Sequence, residues 1–100
     1  MNRQTLLATL LLAGTAGLAQ AQTVRTERNL SLELANQIAA ATVAACSANG
    51  HAVTATVVDR AGGVRAVQRA DNAGPHTLDA SFQKAWTSAS AKNNTLAMME

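Results

Sequence analysis

The sequence contains few of the residues that stabilise a small domain. Its 100 residues include one cysteine, one proline, no tyrosine, one phenylalanine and one tryptophan. A single cysteine excludes an intrachain disulfide. Because aromatic residues are so few, the core must be built from aliphatic side chains and many alanines, and alanine buries little apolar surface. Since 48% of the residues are hydrophobic and only 14% are charged, the composition still predicts one globular domain.

The net charge is small, which bears on the class of partner. Eight Lys and Arg residues against six Asp and Glu residues give a formal charge of +2. A domain that binds nucleic acid usually carries a strongly basic surface. The charge therefore argues against a nucleic-acid partner.

The N-terminal segment has the order of regions found in a secretory signal peptide. Arg3 supplies a positive charge, residues 5–12 are almost wholly apolar, and Ala19-Gln20-Ala21 offers a small-x-small cleavage site. The apolar run is too short to cross a bilayer. We therefore expect residues 1–21 to be a cleaved signal peptide and residues 22–100 to form a periplasmic or secreted protein without a membrane span.

A β-hairpin is the centre of the predicted fold. Residues 53–58 and 64–69 are rich in valine, with threonine in the first run, and both residue types favour strands. Between them, Gly62 and Gly63 are expected to supply the positive φ that a short turn needs, and Asp59 can hydrogen-bond back into it. A hairpin alone is only marginally stable in water, so we expect helices to cover it.

The alternation of the second strand predicts which residues share a face of the hairpin. Arg65 and Arg69 fall on the same face as Val67, whereas Val64 and Ala66 fall on the other.

One helix is predicted before the hairpin and one after it. Ser31 is placed to cap the first helix, which should end at Asn49-Gly50. The second should begin near His76-Thr77, with Thr77 or Gly74 as its cap. Apolar residues recur at spacings of four, three and four in both helices, first at Leu34, Ile38, Ala41 and Ala45 and then at Leu78, Phe82, Ala85 and Ala89. Thr95 is placed to cap a further helix.

These elements predict an α+β fold: an α-β-α domain with a central antiparallel sheet. Only a helix, a hairpin and a helix are recognisable, which leaves the sheet poorly covered and its edges open. We therefore interpret residues 22–100 as the front part of a longer domain.

The candidate ligand-binding residues are two histidines. His76 lies between a Gly-Pro loop and the start of a helix, where side chains are exposed and backbone N–H groups attract anions. His51 follows a helix end, and its simplest interpretation is a solvated residue favoured by the helix carbonyls. The histidines lack the spacing of a zinc motif, and the sequence leaves open whether either of them binds a metal ion. Cys46 is best interpreted as a small core residue.

Four short motifs, taken in order, resemble the GlcG/HbpS family. They are Leu30-Ser31-Leu32-Glu33-Leu34-Ala35, Val57-Val58-Asp59-Arg60-Ala61-Gly62-Gly63, Arg69-Ala70-Asp71-Asn72-Ala73 and Lys84-Ala85-Trp86-Thr87-Ser88-Ala89. The resemblance covers residues 30–100. Ala70 departs from it, because family members place a methionine before the loop aspartate.

The resemblance implies an α-β-α domain, assembly into homo-oligomers and haem as a cofactor. The leading hypothesis is an exported module that binds haem or a related tetrapyrrole through His76 or His51, against an aliphatic sheet face. One alternative is a haem-degrading or other small-molecule enzyme, although no acid–base pair is recognisable. The other is a structural or sensing module whose open sheet edge pairs with further subunits.

Overall fold

The computed structural model describes residues 23–99. The predicted signal peptide and its cleavage site lie outside the described residues. Within them, the regular elements are α1 (Leu32–Ala48), β1 (Thr54–Val58), β2 (Val64–Arg69), α2 (His76–Ala91) and the short α3 (Thr95–Met99). The two strands form one antiparallel sheet with a helix before and after it, so the predicted α+β class and helix–hairpin–helix order are confirmed.

Asp59 holds the hairpin turn together. Its carboxylate accepts hydrogen bonds from the N–H groups of Ala61 (3.0 Å) and Gly63 (2.9 Å). Its own N–H donates to the Gly63 carbonyl, and the Gly62 N–H donates to the Asp59 carbonyl. Gly62 takes a φ of +84°, the left-handed conformation that favours glycine. The predicted roles of Asp59 and Gly62 are therefore confirmed, but the positive φ predicted for Gly63 is wrong, because Gly62 alone makes the left-handed step of the turn.

The second strand does not alternate as predicted. Val57 pairs with Ala66 but Val58 pairs with Val64, so the register shifts and Arg65 has no partner across the hairpin. A one-residue irregularity of this kind reverses the faces of the residues beyond it. Val64 therefore shares a face with Val58, and the prediction that it lies on the face of Ala66 is wrong.

Both ends of α1 are capped as the sequence predicts. The Leu34 N–H donates to Ser31 Oγ at 3.1 Å, which satisfies a backbone donor that the helix itself leaves unpaired. At the other end Gly50 takes a φ of +79°. Its N–H donates to the Ser47 carbonyl and the His51 N–H donates to the Cys46 carbonyl. This is a Schellman motif, and it fixes the direction in which the chain leaves the helix.

α1 packs on the sheet through small residues, not through the predicted stripe of Leu34, Ile38, Ala41 and Ala45. Ala35 and Ala39 are fully buried and form a cluster with Ala55 and Ala66 of the strands. The bulkier Leu34 and Ile38 remain 45% and 43% exposed. Because alanine is small, the helix backbone can approach the sheet closely. The face of α1 that carries Ala35 and Ala39 is therefore the one that is buried. The predicted four-three-four stripe therefore lies on the exposed flank of α1.

α2 lies on the opposite face of the sheet and meets it through hydroxyl groups. Thr54 and Thr56 alternate with the buried Ala55 along β1, so they point away from α1. Thr54 Oγ1 lies 2.6 Å from Thr77 Oγ1, and Thr56 Oγ1 lies 2.6 Å from Ser81 Oγ. The α-β-α layering is thus confirmed, with an alanine contact on one side and a polar contact on the other.

Two predictions about α2 and one about α3 are wrong in detail. Leu78 and Phe82 remain exposed, because Thr77 and Ser81 occupy the inward face. The residue at the N-cap of α2 is Pro75, which makes no side-chain capping bond. For α3 the capping side chain is Asn94, whose Oδ1 accepts from the Ala97 N–H.

No helix within residues 23–99 is long and apolar enough to cross a membrane.

Candidate functional site

His76 is the first residue of α2, and its exposed imidazole lies against Gly74. A methyl group placed on Gly74 would lie 2.7 Å from Nδ1 and 2.6 Å from Cε1, but 3.9 Å from Nε2. The Nδ1 edge of the ring therefore faces the loop, and Nε2 is the nitrogen directed away from it. Since imidazole nitrogens are common ligands of haem iron, this arrangement leaves one nitrogen accessible to a ligand.

The loop before His76 is held by several hydrogen bonds. The Ala70 N–H donates to the Val53 carbonyl across the open end of the hairpin. Arg69 Nη1 donates to the Ala73 carbonyl at 2.7 Å, and Ala73 is buried. Asn72 takes a φ of +68°, a conformation that asparagine tolerates better than most residues. The loop thus presents His76 from an ordered backbone.

The helix start beside His76 offers fewer free N–H groups than the sequence predicts. The Thr77 N–H donates to the Gly74 carbonyl and the Leu78 N–H donates to the Pro75 carbonyl. These two groups are therefore not available to a carboxylate. Arg69 is a cationic side chain at this end of the molecule; it is exposed and uses one terminal nitrogen to hold the loop.

His51 occupies the end of the Schellman motif and is exposed. It follows α1, whereas His76 begins α2, so the two histidines approach the open end of the hairpin from opposite faces of the sheet. Among residues 23–99, no three His, Cys, Asp or Glu side chains gather closely enough to hold a metal ion. Because α1 and α2 lie on opposite faces of the sheet, the structure does not bring the two histidines together.

One half of the sheet face under α2 remains uncovered. α2 lies mainly over β1, and on β2 the side chains of Val64 and Val67 are 52% and 44% exposed. Leu78 and Phe82 on α2 are also exposed. We call these four exposed side chains the apolar face; they are of the aliphatic and aromatic types that line small-molecule sites.

The remaining candidate, Cys46, is partly buried in α1, which agrees with a small packing residue.

A comparison with known families decides which proteins this chain resembles. Residues 30–100 match the model of a family described as haem degrading protein HbpS-like. The chain belongs to the HbpS-like family. The resemblance expected from the four sequence motifs is therefore confirmed, and the family description relates the HbpS-like domain to haem. A comparison with curated proteins gives no match.

Sequence reasoning missed two residues that shape the His76 end of this HbpS-like domain. Gly74 was considered only as a cap, although its missing side chain makes room for the imidazole. Arg69 was assigned only to a strand face, although it bonds to the Ala73 carbonyl. The signal was present in both cases: Gly74 lies two residues before His76, and Arg69 opens the third family motif.

Proposed function

We propose that this HbpS-like protein is an exported module that binds haem or a related tetrapyrrole. Family membership supports the ligand class, and the predicted signal peptide supports export. The observation that carries the proposal is the exposed His76 ring, which lies on Gly74 with Nε2 directed away from the loop. An imidazole in this position needs little rearrangement to meet an iron atom.

Three groups of this chain fit the parts of a tetrapyrrole. His76 Nε2 would contact the iron, the apolar face would lie against the ring, and Arg69 would pair with a propionate. Arg69 keeps one bond to the Ala73 carbonyl, so its planar guanidinium is already oriented, and such a fork suits a carboxylate. When bound, haem would supply iron-centred redox and ligand-binding chemistry.

A haem titration followed by the Soret band tests the proposal. We expect His76→Ala to weaken haem binding about tenfold, as loss of an iron ligand would do, or to shift the absorption bands. His51→Ala is the matched control, because it removes an exposed histidine from the other face of the sheet and should change neither affinity nor spectrum. Unchanged binding and spectrum in His76→Ala would reject this histidine as the iron contact.

Gly74→Ala tests the same contact without removing the imidazole. The new methyl group would lie 2.6–2.7 Å from the ring atoms Cε1 and Nδ1, so the ring must turn away. The backbone at Gly74 does not require glycine, since its φ lies outside the left-handed region. We therefore expect altered haem spectra while the circular dichroism of the protein is retained.

A second candidate is haem degradation, which the description of the matching family favours. It is distinguished from binding by the fate of the ligand. Incubation of the protein with haem and a reductant would give a stable Soret band if the protein only binds haem. A falling Soret band with an identified product would instead assign it to catalysis.

Homo-oligomer formation is the remaining part of the proposal. The flank of α1 that carries Leu34 and Ile38 is exposed, and neither strand has a partner on its outer edge within residues 23–99. A second copy could cover both features. Light scattering over a range of concentrations should give a mass above that of the monomer, and a constant monomer mass would contradict this part. A structural or sensing role requires such assembly without haem binding, so the titration separates it from the leading proposal.

A further inference from the structure

A cleft of about 550 Å³ lies at the end of the molecule opposite His76. It forms where the segment before α1, the start of α1, the hairpin turn and the end of α2 meet. Its lining combines apolar and basic residues with Asn29. The apolar residues are Leu30, Leu34 and Ala89, and the basic residues are Arg28, Arg60 and Lys92. We call this the basic cleft.

The three cations of the basic cleft have no carboxylate partner in the described part of the chain. No acidic residue lines the cleft, and the ion pair found in residues 23–99 joins Arg25 to Glu27. Like charges brought to one cleft repel one another, and an anion bound between them would remove that repulsion. The charge pattern therefore favours an anionic occupant.

Arg60 is held in place while most of its guanidinium stays available. Its backbone N–H donates to Asn29 Oδ1 and its Nε donates to the Arg28 carbonyl, both at 3.1 Å. Neither terminal nitrogen has a hydrogen-bond partner within residues 23–99. A guanidinium fixed through Nε presents its two remaining nitrogens as a fork, the geometry that a carboxylate accepts well.

Lys92 adds a positive charge to the basic cleft, and its backbone takes a conformation that is unusual for lysine. It ends α2 in the left-handed region, with φ 55° and ψ 40°, and its N–H donates to the Ser88 carbonyl. Helices usually place glycine in this conformation, because a side chain there is strained. Lysine at this position lowers helix stability relative to glycine and adds a charge to the cleft.

We propose that the basic cleft binds an amphipathic organic anion, with its carboxylate held by Arg60, Lys92 and Arg28 and a short apolar chain on Leu30, Leu34 and Ala89. This site is separate from the one proposed for haem. α2 has 16 residues, so its ends lie about 22 Å apart. A single haem bound through His76 does not reach that far with its propionates.

The test uses octanoate as the probe, with the full chain, in equilibrium dialysis. Octanol has the same apolar chain without the charge, and inorganic phosphate has the charge without the chain. We expect octanoate to bind about tenfold more tightly than either, a difference that corresponds to one charge or one short apolar chain. Octanoate should also shift the backbone amide resonances of Leu30, Leu34 and Ala89.

Lys92→Gly and Arg65→Gln form a matched pair of variants. Lys92→Gly removes a cleft cation at a position where glycine suits the backbone, so the fold is retained. It should weaken octanoate binding by up to about fivefold, the upper end of the range expected for an exposed ion pair. Arg65→Gln removes one charge from the hairpin at a residue outside the cleft and should leave the affinity unchanged. Arg60→Gln should weaken binding at least as much as Lys92→Gly.

Three results would overturn the proposal. Equal weakening in Lys92→Gly and Arg65→Gln would mean that octanoate responds only to net charge. If octanol or phosphate bound as tightly as octanoate, the cleft would not need both a charge and an apolar chain in its ligand, and the amphipathic anion would be rejected. Amide shifts confined to residues outside the cleft would place the ligand elsewhere. None of these measurements involves His76 or haem. Their outcome therefore tests the basic cleft independently of the proposed haem site.

Discussion

The indole of Trp86 lies directly over Gly62, so the end of α2 packs against the hairpin turn at a point where no side chain fits. A methyl group on Gly62 would lie 2.8 Å from Cδ1 of Trp86 and 3.2 Å from its Nε1. Gly62 also takes the left-handed φ of +84°. Steric space and backbone conformation therefore both require glycine here.

Gly62→Ala should lower the free energy of unfolding by about 2–3 kcal/mol, because it combines backbone strain with a clash. Gly50→Ala is the control, since Gly50 has a similar φ of +79° but nothing within 4 Å of the added methyl group. Its cost should be about 1 kcal/mol. Urea unfolding at one protein concentration measures the difference. If both variants lose the same free energy of unfolding, the Trp86 side chain moves aside from the added methyl group without strain. The fluorescence of Trp86, the sole tryptophan, should change only in Gly62→Ala.

Asp59→Ala should destabilise the hairpin by about 1–2 kcal/mol, because the N–H groups of Ala61 and Gly63 lose their acceptor. Asp59→Asn keeps an acceptor oxygen and should cost less than half as much. The measurement is the urea midpoint of each variant. If Asn and Ala cost the same, the hydrogen bonds of the carboxylate do not stabilise the turn.

The pair Thr56 and Ser81 should show a coupling in a double-mutant cycle. Ser81→Ala leaves the part-buried Thr56 hydroxyl without its partner at 2.6 Å, which costs about 1 kcal/mol. In Thr56→Val with Ser81→Ala the interface becomes apolar, and much of that loss should be recovered. Additive effects of the two substitutions would indicate that the hydroxyl contact contributes nothing to the packing of α2.

Export should produce a chain that begins at Gln22. Ala19 and Ala21 supply the small residues that signal peptidase recognises. The intact mass of the protein recovered outside the cytoplasm measures the cleavage position. A recovered chain that still begins at Met1 would contradict the prediction, and Ala21→Leu should block processing as its control.

The features that were predicted correctly depend on residues close together in sequence. Ser31 caps α1 because its side chain reaches an N–H three residues later, and Gly50 ends α1 through bonds within one turn. Asp59 likewise bonds only within its own turn. Local chemistry of this kind can be read from a sequence, because no distant part of the chain is needed to satisfy it.

The features that were predicted wrongly depend on how closely distant segments approach. α1 offers a bulky stripe through Leu34 and Ile38 and a small one through Ala35 and Ala39, and periodicity alone favours the bulky one. The close approach to Ala55 and Ala66 selects the small one. The basic cleft was missed for a similar reason, because it needs Arg60 to meet a segment more than 30 residues earlier. The role of His76 in ligand binding stays a prediction.

The unequal contacts on the two faces of the sheet also imply an order of opening. α1 is held by alanines that are fully excluded from solvent, whereas α2 contains no buried residue and meets the sheet through hydroxyl pairs that water can replace. Segments with few buried apolar contacts open at lower free energy than the whole molecule. In hydrogen-exchange experiments the amides of α2 should therefore exchange before those of α1, and α2 would be the part of the domain that detaches first.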